Sequence, residues 1–335
     1  MRVIFMGTPE FAVPSLRLLI ERATPGDLAQ DRTEIVGVVT RVDKPSGRGR
    51  QVVPSPVKQL ALDAGLPVFQ PGPLRRAESL ELLTALKPDL IVVAAFGQIL
   101  PPDIIHLPPR GCLNVHASLL PRHRGASPIA AAILAGDTET GVTIMRMDEG
   151  LDTGPILTGR TTPIEPDETT GELTVRLAEI GADLLAATLP RWLSGEITPT
   201  PQDDWRATLT RLVRKEDGLL DWTQPAELLA RQVRACNPWP GAYTWWNGQQ
   251  IKILRAQVID PGAAGAERQP GDTYLLPEAG LTVACGAGAL ALTVIQLQGK
   301  RAMPAADLLR GYPALASANF TSSPAPAKDQ NDTSR

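Results

Sequence analysis

Short continuous apolar runs alternate with segments of helical apolar period along the first 193 residues. A continuous apolar run bounded by turn residues is typical of a buried parallel strand, and an apolar repeat of about 3.6 residues is typical of an amphipathic helix. The runs predict strands at residues 2–6, 34–40, 89–95, 111–116 and 141–147, and the periodic segments predict helices at 11–21, 56–64, 127–134 and 172–193. This alternation predicts an α/β fold with an open, mostly parallel, Rossmann-like sheet and helices on both faces.

The pattern changes after Trp192. Residues 194–204 are rich in Pro, Thr and Asp, as linkers are. One helix is then predicted at 226–234, followed by short strands at 242–246, 251–258, 271–276, 281–284 and 289–297. Asn247-Gly248 between the first two of these strands predicts a hairpin, and the strand spacing predicts a small OB-like β-barrel. We therefore predict a domain at 1–193, a linker at 194–207, a barrel domain at 208–317 and a disordered tail at 318–335.

Composition narrows the class of protein. The chain has 335 residues, 43% hydrophobic and 21% charged, which is ordinary for a globular protein of two domains. Its three cysteines are odd in number and far apart, so we expect a reducing compartment, no disulfide framework and no metal site. The apolar run at the N-terminus breaks at Gly7, too early for a signal peptide or a membrane span. We expect a cytoplasmic protein that has no membrane partner, with a monomer as the default.

Charge is unevenly distributed. The net charge is −3, but from Arg206 onward there are 14 Lys or Arg residues against 11 Asp or Glu residues, a balance of +3. Residues 41–58 carry five basic side chains and one acidic side chain. A charge run is usually only a solvated loop, yet such a pattern can attract a polyanion even when the net charge is negative.

Asn114 and His116 are the first candidates for chemistry. They lie two positions apart on a predicted strand, so their side chains project to the same side. They are near the carboxyl end of that strand, where open α/β sheets bind ligands. An Asn amide can hydrogen-bond an oxyanion and a His can accept a proton, a pair that suits attack on a carbonyl. An Asn-x-His pair alone is more often structural than catalytic.

An acidic loop at 147–154 could supply a carboxylate that orients His116. Three candidates are present, Asp148, Glu149 and Asp152, and the residues alone leave the choice open. A second loop, 118–125, leads to a predicted helix N-terminus and can present backbone groups to a ligand. The turn after the first strand lacks GxGxxG, which argues against a nicotinamide oxidoreductase.

Taken together, these segments resemble the methionyl-tRNA formyltransferase family of folate-dependent formyltransferases along nearly the whole chain, from Met1 to about Tyr312. The resemblance rests on eight motifs: FMGTPEF at 5–11, DKPSGRGRQVVPSPVK at 43–58, AAFGQILP at 94–101, GCLNVHASLLPRHRGASPI at 111–129, GVTIMRMDEGLDTGPIL at 141–157, KEDGLLDW at 215–222, CNPWPGAY at 236–243 and QGKRAMPAADLL at 298–309. Of these, the NVHxSLLPxxRG and GLDTG pair is specific for folate-dependent formyl transfer.

The resemblance implies a function and a site. The function would be formyl transfer from 10-formyltetrahydrofolate to methionyl-initiator tRNA, without a metal, and the barrel would bind the tRNA. The catalytic residues would be Asn114, His116 and Asp152. Folate would be bound by Ser118, Leu119, Leu120, Pro121 and the backbone around Phe96, Gly97 and Gln98. The tRNA would be contacted by Arg48, with Lys44 and Arg50 on the same basic loop.

The chain departs from the family pattern at His123, where Trp or Tyr is usual, and at Arg41-Val42, where the family has a polar residue and a proline. These departures affect local contacts rather than the catalytic residues. Two alternative functions remain: a sister formyltransferase that acts on a small amine such as a sugar nucleotide, and a non-catalytic tRNA-binding protein that has kept the fold.

Overall fold

The structure is a computed structural model that describes residues 1–23, 33–46, 51–259 and 268–324. The chain divides into two compact units. The first comprises Met1–Ile129, Thr138–Ile164 and Glu172–Leu212, and the second comprises Ala130–Asp137, Glu165–Gly171 and Val213–Arg335. The domain boundaries given above remain a prediction, because these units interleave along the chain.

Up to residue 193 the strands and helices follow the predicted alternation, with some additions. In chain order they are β1 (Arg2–Gly7), α1 (Val13–Ala23), β2 (Glu34–Val39), β3 (Lys44–Ser46), β4 (Gln51–Val53), α2 (Pro56–Asp63), β5 (Val68–Phe69), α3 (Ala77–Ala85), β6 (Leu90–Ala94), α4 (Pro102–Ile105), β7 (Cys112–His116), β8 (Arg124–Gly125), α5 (Pro128–Ala135), β9 (Glu139–Arg146), β10 (Ile156–Pro163) and α6 (Thr170–Leu193).

The main sheet of the first unit has seven strands in the order β10-β9-β7-β6-β1-β2-β5. Strands β1, β2, β5, β6 and β7 run parallel, which confirms the predicted open, mostly parallel sheet. Strand β9 is antiparallel to β7, and β10 is antiparallel to β9. We did not predict β10, because four of its eight residues are exposed and it lacks the apolar run of a central strand.

The central strands form because their side chains are apolar on both faces of the sheet. Every residue of β6 and β7 is buried, and so are five of the six residues of β1. Two of the buried positions in β7 are polar, namely Asn114 and His116. Buried polar side chains must find hydrogen-bond partners, so this strand needs loops beside it that supply them.

The segment predicted as a linker is packed in the first unit. Thr200 pairs with Ile156 through two backbone hydrogen bonds of 2.8 Å. Further on, β11 (Leu209–Thr210) pairs in parallel with β8. Residues 200–210 are called the bracing segment below.

The second unit is built on an antiparallel sheet. Its later elements are α7 (Ala226–Ala235), β12 (Ala242–Trp246), β13 (Gln249–Ile259), β14 (Thr273–Leu276), β15 (Gly280–Ala284), β16 (Ala289–Leu297), β17 (Met303–Pro304) and α8 (Ala305–Gly311). The sheet order is β12-β13-β16-β15-β14, with β17 on β16. Asn247 and Gly248 both have positive φ between β12 and β13, which confirms the predicted hairpin.

Residues 318–324 correct the predicted disordered tail. Asn319 pairs with Asp272 at the start of β14, and Thr321 pairs with Trp245 of β12. The segment therefore bridges the two edge strands of the sheet, and Phe320 is 2% exposed in the core that β12 to β16 surround. The local composition, rich in Ser, Pro and Ala, hid this role, because strand pairing depends on the unsatisfied edges and not on the segment alone. Residues 325–335 lie outside the described residues.

Candidate active site

Asn114 and His116 lie on the same side of β7, 9% and 6% exposed. Strand β9 beside them is antiparallel, with Arg146 opposite Leu113 and Thr143 opposite His116. The loop after β9 therefore leaves from the amino end of β7 and must run back along it before it can reach His116. This geometry determines how far along the loop a carboxylate must lie in order to contact His116.

Asp152 is the carboxylate that reaches the pair. Its Oδ1 lies 3.4 Å from Asn114 Nδ2, and its Oδ2 lies 3.7 Å from His116 Nδ1. Oδ2 also accepts a 2.8 Å hydrogen bond from the backbone N–H of Gly125. The structure thus brings together the three residues that the resemblance assigns to catalysis.

The other two carboxylates of the loop have different partners. Asp148 Oδ1 accepts hydrogen bonds from Gly150 N at 3.1 Å and Thr153 Oγ1 at 2.7 Å, so it shapes the turn. Glu149 lies 3.3 Å from His106 Nε2 on the surface. Of the three carboxylates, Asp152 is the one that lies against Asn114 and His116, in agreement with the residue that the resemblance implies.

A backbone carbonyl fixes the ring of His116. His116 Nε2 lies 3.0 Å from the carbonyl oxygen of His123, and a carbonyl can only accept. Nε2 therefore carries the proton in the neutral ring, and Nδ1 presents its lone pair toward the side of Asp152. His123 has φ of 57°, and its contact with His116 is made by its backbone. The departure from Trp or Tyr at this position leaves that contact intact.

Ser118 and Thr143 hold the loop that begins after His116. Thr143 Oγ1 donates to Ser118 O at 2.7 Å and accepts from Leu120 N at 3.1 Å. Ser118 is fully buried, and its hydroxyl donates to Arg122 O at 2.6 Å. Its predicted contact with folate would consequently be indirect, through the loop that it shapes.

The remaining folate candidates lie at the carboxyl ends of β6 and β7. Phe96 is 2% exposed, its ring packs in the core of the sheet, and its carbonyl accepts a 3.1 Å hydrogen bond from Thr8 Oγ1. Gly97 is exposed with φ of 80°, and Gln98 accepts a hydrogen bond from Leu74 N through Oε1. In the second loop Leu120 is buried, whereas Leu119 and Pro121 are half-buried.

A cavity of about 480 Å³ opens beside the loop that carries Asp152. It is lined by Ile105, His106, Arg146, Met147, Asp148, Glu149, Gly150 and Pro155. Small-molecule sites typically measure about 300–1,000 Å³. Its size is suitable for part of a small carrier molecule, and its lining includes residues of the loop that carries Asp152.

The predicted tRNA loop is described only at its ends. Arg48 and Arg50 lie outside the described residues, and Lys44 is on β3, which pairs with β4 as a hairpin. Asp43 forms an ion pair with Lys58 and accepts a 2.9 Å hydrogen bond from Gln70 Nε2. Hydrogen bonds from Lys58 and Gln70 hold the pKa of Asp43 below its ordinary value. The two ends of motif 43–58 are thereby tied together.

The cysteines take no part in this site. All three are buried and unpaired, and burial raises the pKa of the Cys112 and Cys285 thiols to about 12 and that of Cys236 to about 11. Within the described residues, no group of three or more His, Cys, Asp or Glu side chains could hold a metal ion. No helix in the described part of the chain is long and apolar enough to cross a membrane.

Sequence reasoning missed three residues that support the site. Thr143 was detectable as a polar residue inside an apolar strand, and Gly125 as the glycine that ends the second loop. Gln202 gave no signal. Its Nε2 donates to the carbonyls of Asp152 and Gly154 at 2.8 and 2.7 Å, contacts that span about fifty residues of chain.

Comparison with known proteins relates both halves of the chain to one family. A family model described as formyl transferase matches residues 1–189, and one described as formyl transferase, C-terminal domain, matches residues 212–313. A methionyl-tRNA formyltransferase from Citrifermentans bemidjiense is 48% identical over 93% of this chain and 94% of its own length. A protein of the same name from Roseiflexus sp. (strain RS-1) is 50% identical over 93% and 92%.

A solved structure shares the fold at lower identity. It is an N-formyltransferase from Helicobacter canadensis in complex with folinic acid and dTDP-3-aminofucose, with a TM-score of 0.61 and 18% identity over 87% of this chain and 98% of that one. At this identity the likeness concerns the fold alone.

Proposed function

This chain belongs to the methionyl-tRNA formyltransferase family, and on that premise we propose that it transfers the formyl group of 10-formyltetrahydrofolate to the free amino group of methionyl-initiator tRNA. The observation that carries the proposal at the level of chemistry is the cluster of Asn114, His116 and Asp152 at one end of the buried strand β7. The product would be formylmethionyl-tRNA for translation initiation.

His116 is the proton acceptor in this mechanism. The amino nitrogen of the methionyl ester attacks the formyl carbon, a new C–N bond forms, and the amine must lose one proton. With Nε2–H donated to the His123 carbonyl, Nδ1 is the atom that takes this proton. Asp152 Oδ2, 3.7 Å away, stabilises the resulting imidazolium and holds the ring in place.

Asn114 stabilises the oxygen of the tetrahedral intermediate. Its Nδ2 has two hydrogens, and one contact to Asp152 at 3.4 Å leaves the other for the developing oxyanion. The protonated His116 supplies the proton that N10 of the folate needs when the old C–N bond breaks. Tetrahydrofolate then leaves, and the ring returns to its neutral form without any metal-dependent step.

The loops around the cluster are suited to the folate co-substrate. The exposed backbone at Gly97, the half-buried Leu119 and Pro121, and the cavity next to Asp148–Gly150 all belong to the first unit and lie on loops that follow β6, β7 and β9. Open α/β sheets bind ligands at the carboxyl ends of their parallel strands, which is where the loops after β6 and β7 begin. The carrier needs an apolar surface for its ring system and few polar contacts, which these residues offer.

The acceptor is proposed to be tRNA rather than a small amine. The relatives named methionyl-tRNA formyltransferase align over both domains at 48–50% identity, whereas the N-formyltransferase crystallised with an amino sugar nucleotide is 18% identical. A small acceptor would need neither the basic loop at 43–58 nor the positive balance of +3 from Arg206 onward. We further propose that the protein is a cytoplasmic monomer. Ultracentrifugation of the full chain tests the monomeric state.

The decisive experiment measures formyl transfer from 10-formyltetrahydrofolate to charged initiator tRNA by the full chain, with His116→Ala alongside. We expect transfer by the unsubstituted protein and a loss of about 10²–10⁴-fold in the variant, the usual contribution of a general base. tRNA binding without transfer would identify a non-catalytic binding protein. Transfer to an amino sugar nucleotide but not to tRNA would identify the small-amine alternative.

A further inference from the structure

The bracing segment, residues 200–210, touches both loops that carry the catalytic candidates. Gln202 Nε2 donates to the carbonyl oxygens of Asp152 and Gly154 at 2.8 and 2.7 Å. Its Oε1 accepts a 3.0 Å hydrogen bond from Arg124 Nε, in the loop that follows His116. One side chain therefore connects the Asp152 loop with the His123–Gly125 loop.

The bracing segment also holds the backbone of the His123–Gly125 loop. Thr208 accepts hydrogen bonds from the backbone N–H groups of His123, through Oγ1 at 2.7 Å, and Arg124, through its carbonyl at 2.9 Å. Thr210 Oγ1 donates to the carbonyl of Arg124 at 3.1 Å. These bonds surround the carbonyl of His123 that orients His116, and the N–H of Gly125 that binds Asp152.

Asp152 needs such support. It has φ of 53°, a left-handed conformation that costs a residue with a side chain about 1–2 kcal/mol relative to glycine and persists only when its surroundings enforce it. Its two carboxylate oxygens are held by Asn114 and Gly125, and its carbonyl is held by Gln202. Without Gln202 the carbonyls of Asp152 and Gly154 lose a shared donor, and the peptide between them can rotate.

We propose that Gln202 is a positioning residue of formyl transfer: it sets the Asp152 loop against the His123–Gly125 loop and thereby fixes the distance between Asp152 and His116. Gln202 itself does not touch the reacting atoms. The inference rests on the function proposed above, since it acts through Asp152.

Gln202→Glu tests the proposal with almost no change in shape. It replaces the donating NH₂ group with a carboxylate oxygen that faces two carbonyl oxygens, while the contact with Arg124 is kept. We expect kcat to fall by about 30- to 100-fold, because a misplacement near 1 Å costs roughly that much, with the KM values of both substrates within about twofold of the unsubstituted chain. Gln202→Met, an apolar side chain of similar length, should lower kcat in the same direction and serves if the charged variant folds poorly.

Gln232→Glu is the matched control. Gln232 is also half-buried, and its Nε2 donates to two backbone carbonyls, those of Asp217 and Leu219 at 2.8 and 2.9 Å, but within the second unit. The control should lower the melting temperature as Gln202→Glu does and leave kcat per folded molecule unchanged. A kcat loss of the same size in both variants would overturn the proposal, because it would reflect general damage.

A double-mutant cycle with Asp152→Asn supplies the readout that a merely structural role would not change. If Gln202 acts through Asp152, Gln202→Glu should cost less than about threefold in kcat once Asp152 is already replaced, measured by single turnover with enzyme in excess. An undiminished loss in that background, or a Gln202→Glu kcat within threefold of the unsubstituted chain, would refute the role. An active Asp152→Asn variant would instead refute the proposed catalytic cluster.

Discussion

Three residues in the two loops that contact His116 have positive φ angles: His123 at 57°, Asp152 at 53° and Gly125 at 112°. Residues with side chains adopt this region at a cost, and they are found there mainly at functional sites where hydrogen bonds enforce the conformation. Here the enforced conformations point the His123 carbonyl at His116 and the Gly125 N–H at Asp152. The local backbone thus supplies two of the contacts that orient the side chains proposed for catalysis.

Asn114→Ala tests the oxyanion role. The variant removes the Nδ2 donor, and we expect kcat for formyl transfer to fall by about two to three orders of magnitude, as for loss of one oxyanion donor. Asn319→Ala is a suitable control, since it removes a 2.9 Å hydrogen bond from an Asn to Asp272 in the second unit. Steady-state kinetics checks both, and a near-normal rate for Asn114→Ala would eliminate Asn114 as a catalytic residue.

Gly125→Ala tests the backbone conformation. A Cβ atom at this position would lie 2.3 Å from the carbonyl oxygen of Thr210, so β8 and β11 would have to separate. We expect the donor to Asp152 to move and kcat to fall by about 10²-fold, the cost of a displacement near 1 Å.

Gly65→Ala is the control for that variant. Gly65 also has positive φ, 67°, but no atom lies within 4 Å of the added methyl group. It should cost about 1 kcal/mol of unfolding free energy with no change in kcat. Equal kcat values for the two glycine variants would contradict the assigned role of Gly125.

At the scale of elements, the direction of β9 determines which carboxylate lies against Asn114 and His116. Because β9 is antiparallel to β7, the loop after it starts beside Leu113 and covers the length of β7 before it reaches His116. Asp148 and Glu149 come too early in the loop to contact His116, and Asp152 comes where the loop reaches it.

The bracing segment and residues 318–324 show a second effect, since segments with linker-like composition become ordered when they complete a sheet edge or a loop.

Phe320→Ala tests the corrected C-terminal segment. Phe320 is 2% exposed, and its ring centroid lies 6.0 Å from that of Trp222. Truncation of a buried Phe costs about 3–5 kcal/mol, so the urea midpoint followed by tryptophan fluorescence should fall clearly. Leu275→Ala, at a 54% exposed position on β14, should leave it almost unchanged. Equal midpoints for Phe320→Ala and the unsubstituted chain would support the original prediction that the tail from residue 318 is disordered.

At the scale of the whole molecule, the net charge of −3 conceals an uneven distribution. The residues from Arg206 onward carry a balance of +3, and motif 43–58 adds a basic segment whose ends are tied by Asp43 and Lys58. A protein that binds tRNA needs local positive charge rather than a positive sum, because each neutralised phosphate releases counterions at the contact surface.

Arg48→Ala tests this distribution. We expect a higher KM for tRNA and a salt dependence reduced by about one phosphate contact, with the KM for 10-formyltetrahydrofolate unchanged. Arg160→Ala is the charge-matched control, because Arg160 is on β10, at the edge of the sheet away from β2. Kinetics at several salt concentrations distinguishes them, and identical tRNA constants and slopes for both variants would reduce the basic loop to a surface feature.

The sequence by itself determined the alternation of the main strands and helices, the pairing of Asn114 with His116 on one side of a strand, and the family to which the chain belongs. These features depend on apolar periodicity and on motifs, which are local in the chain. The resemblance named Asp152, but only the tertiary structure showed how it reaches them, which side chain braces the loops and which segment bridges the edges of the second sheet. The contact of Asn114 with Asp152 spans 38 residues, that of Gln202 with Asp152 spans 50, and that of Arg124 with Gln202 spans 78. Contacts over such separations arise from packing and strand direction, and local patterns of polarity do not predict them.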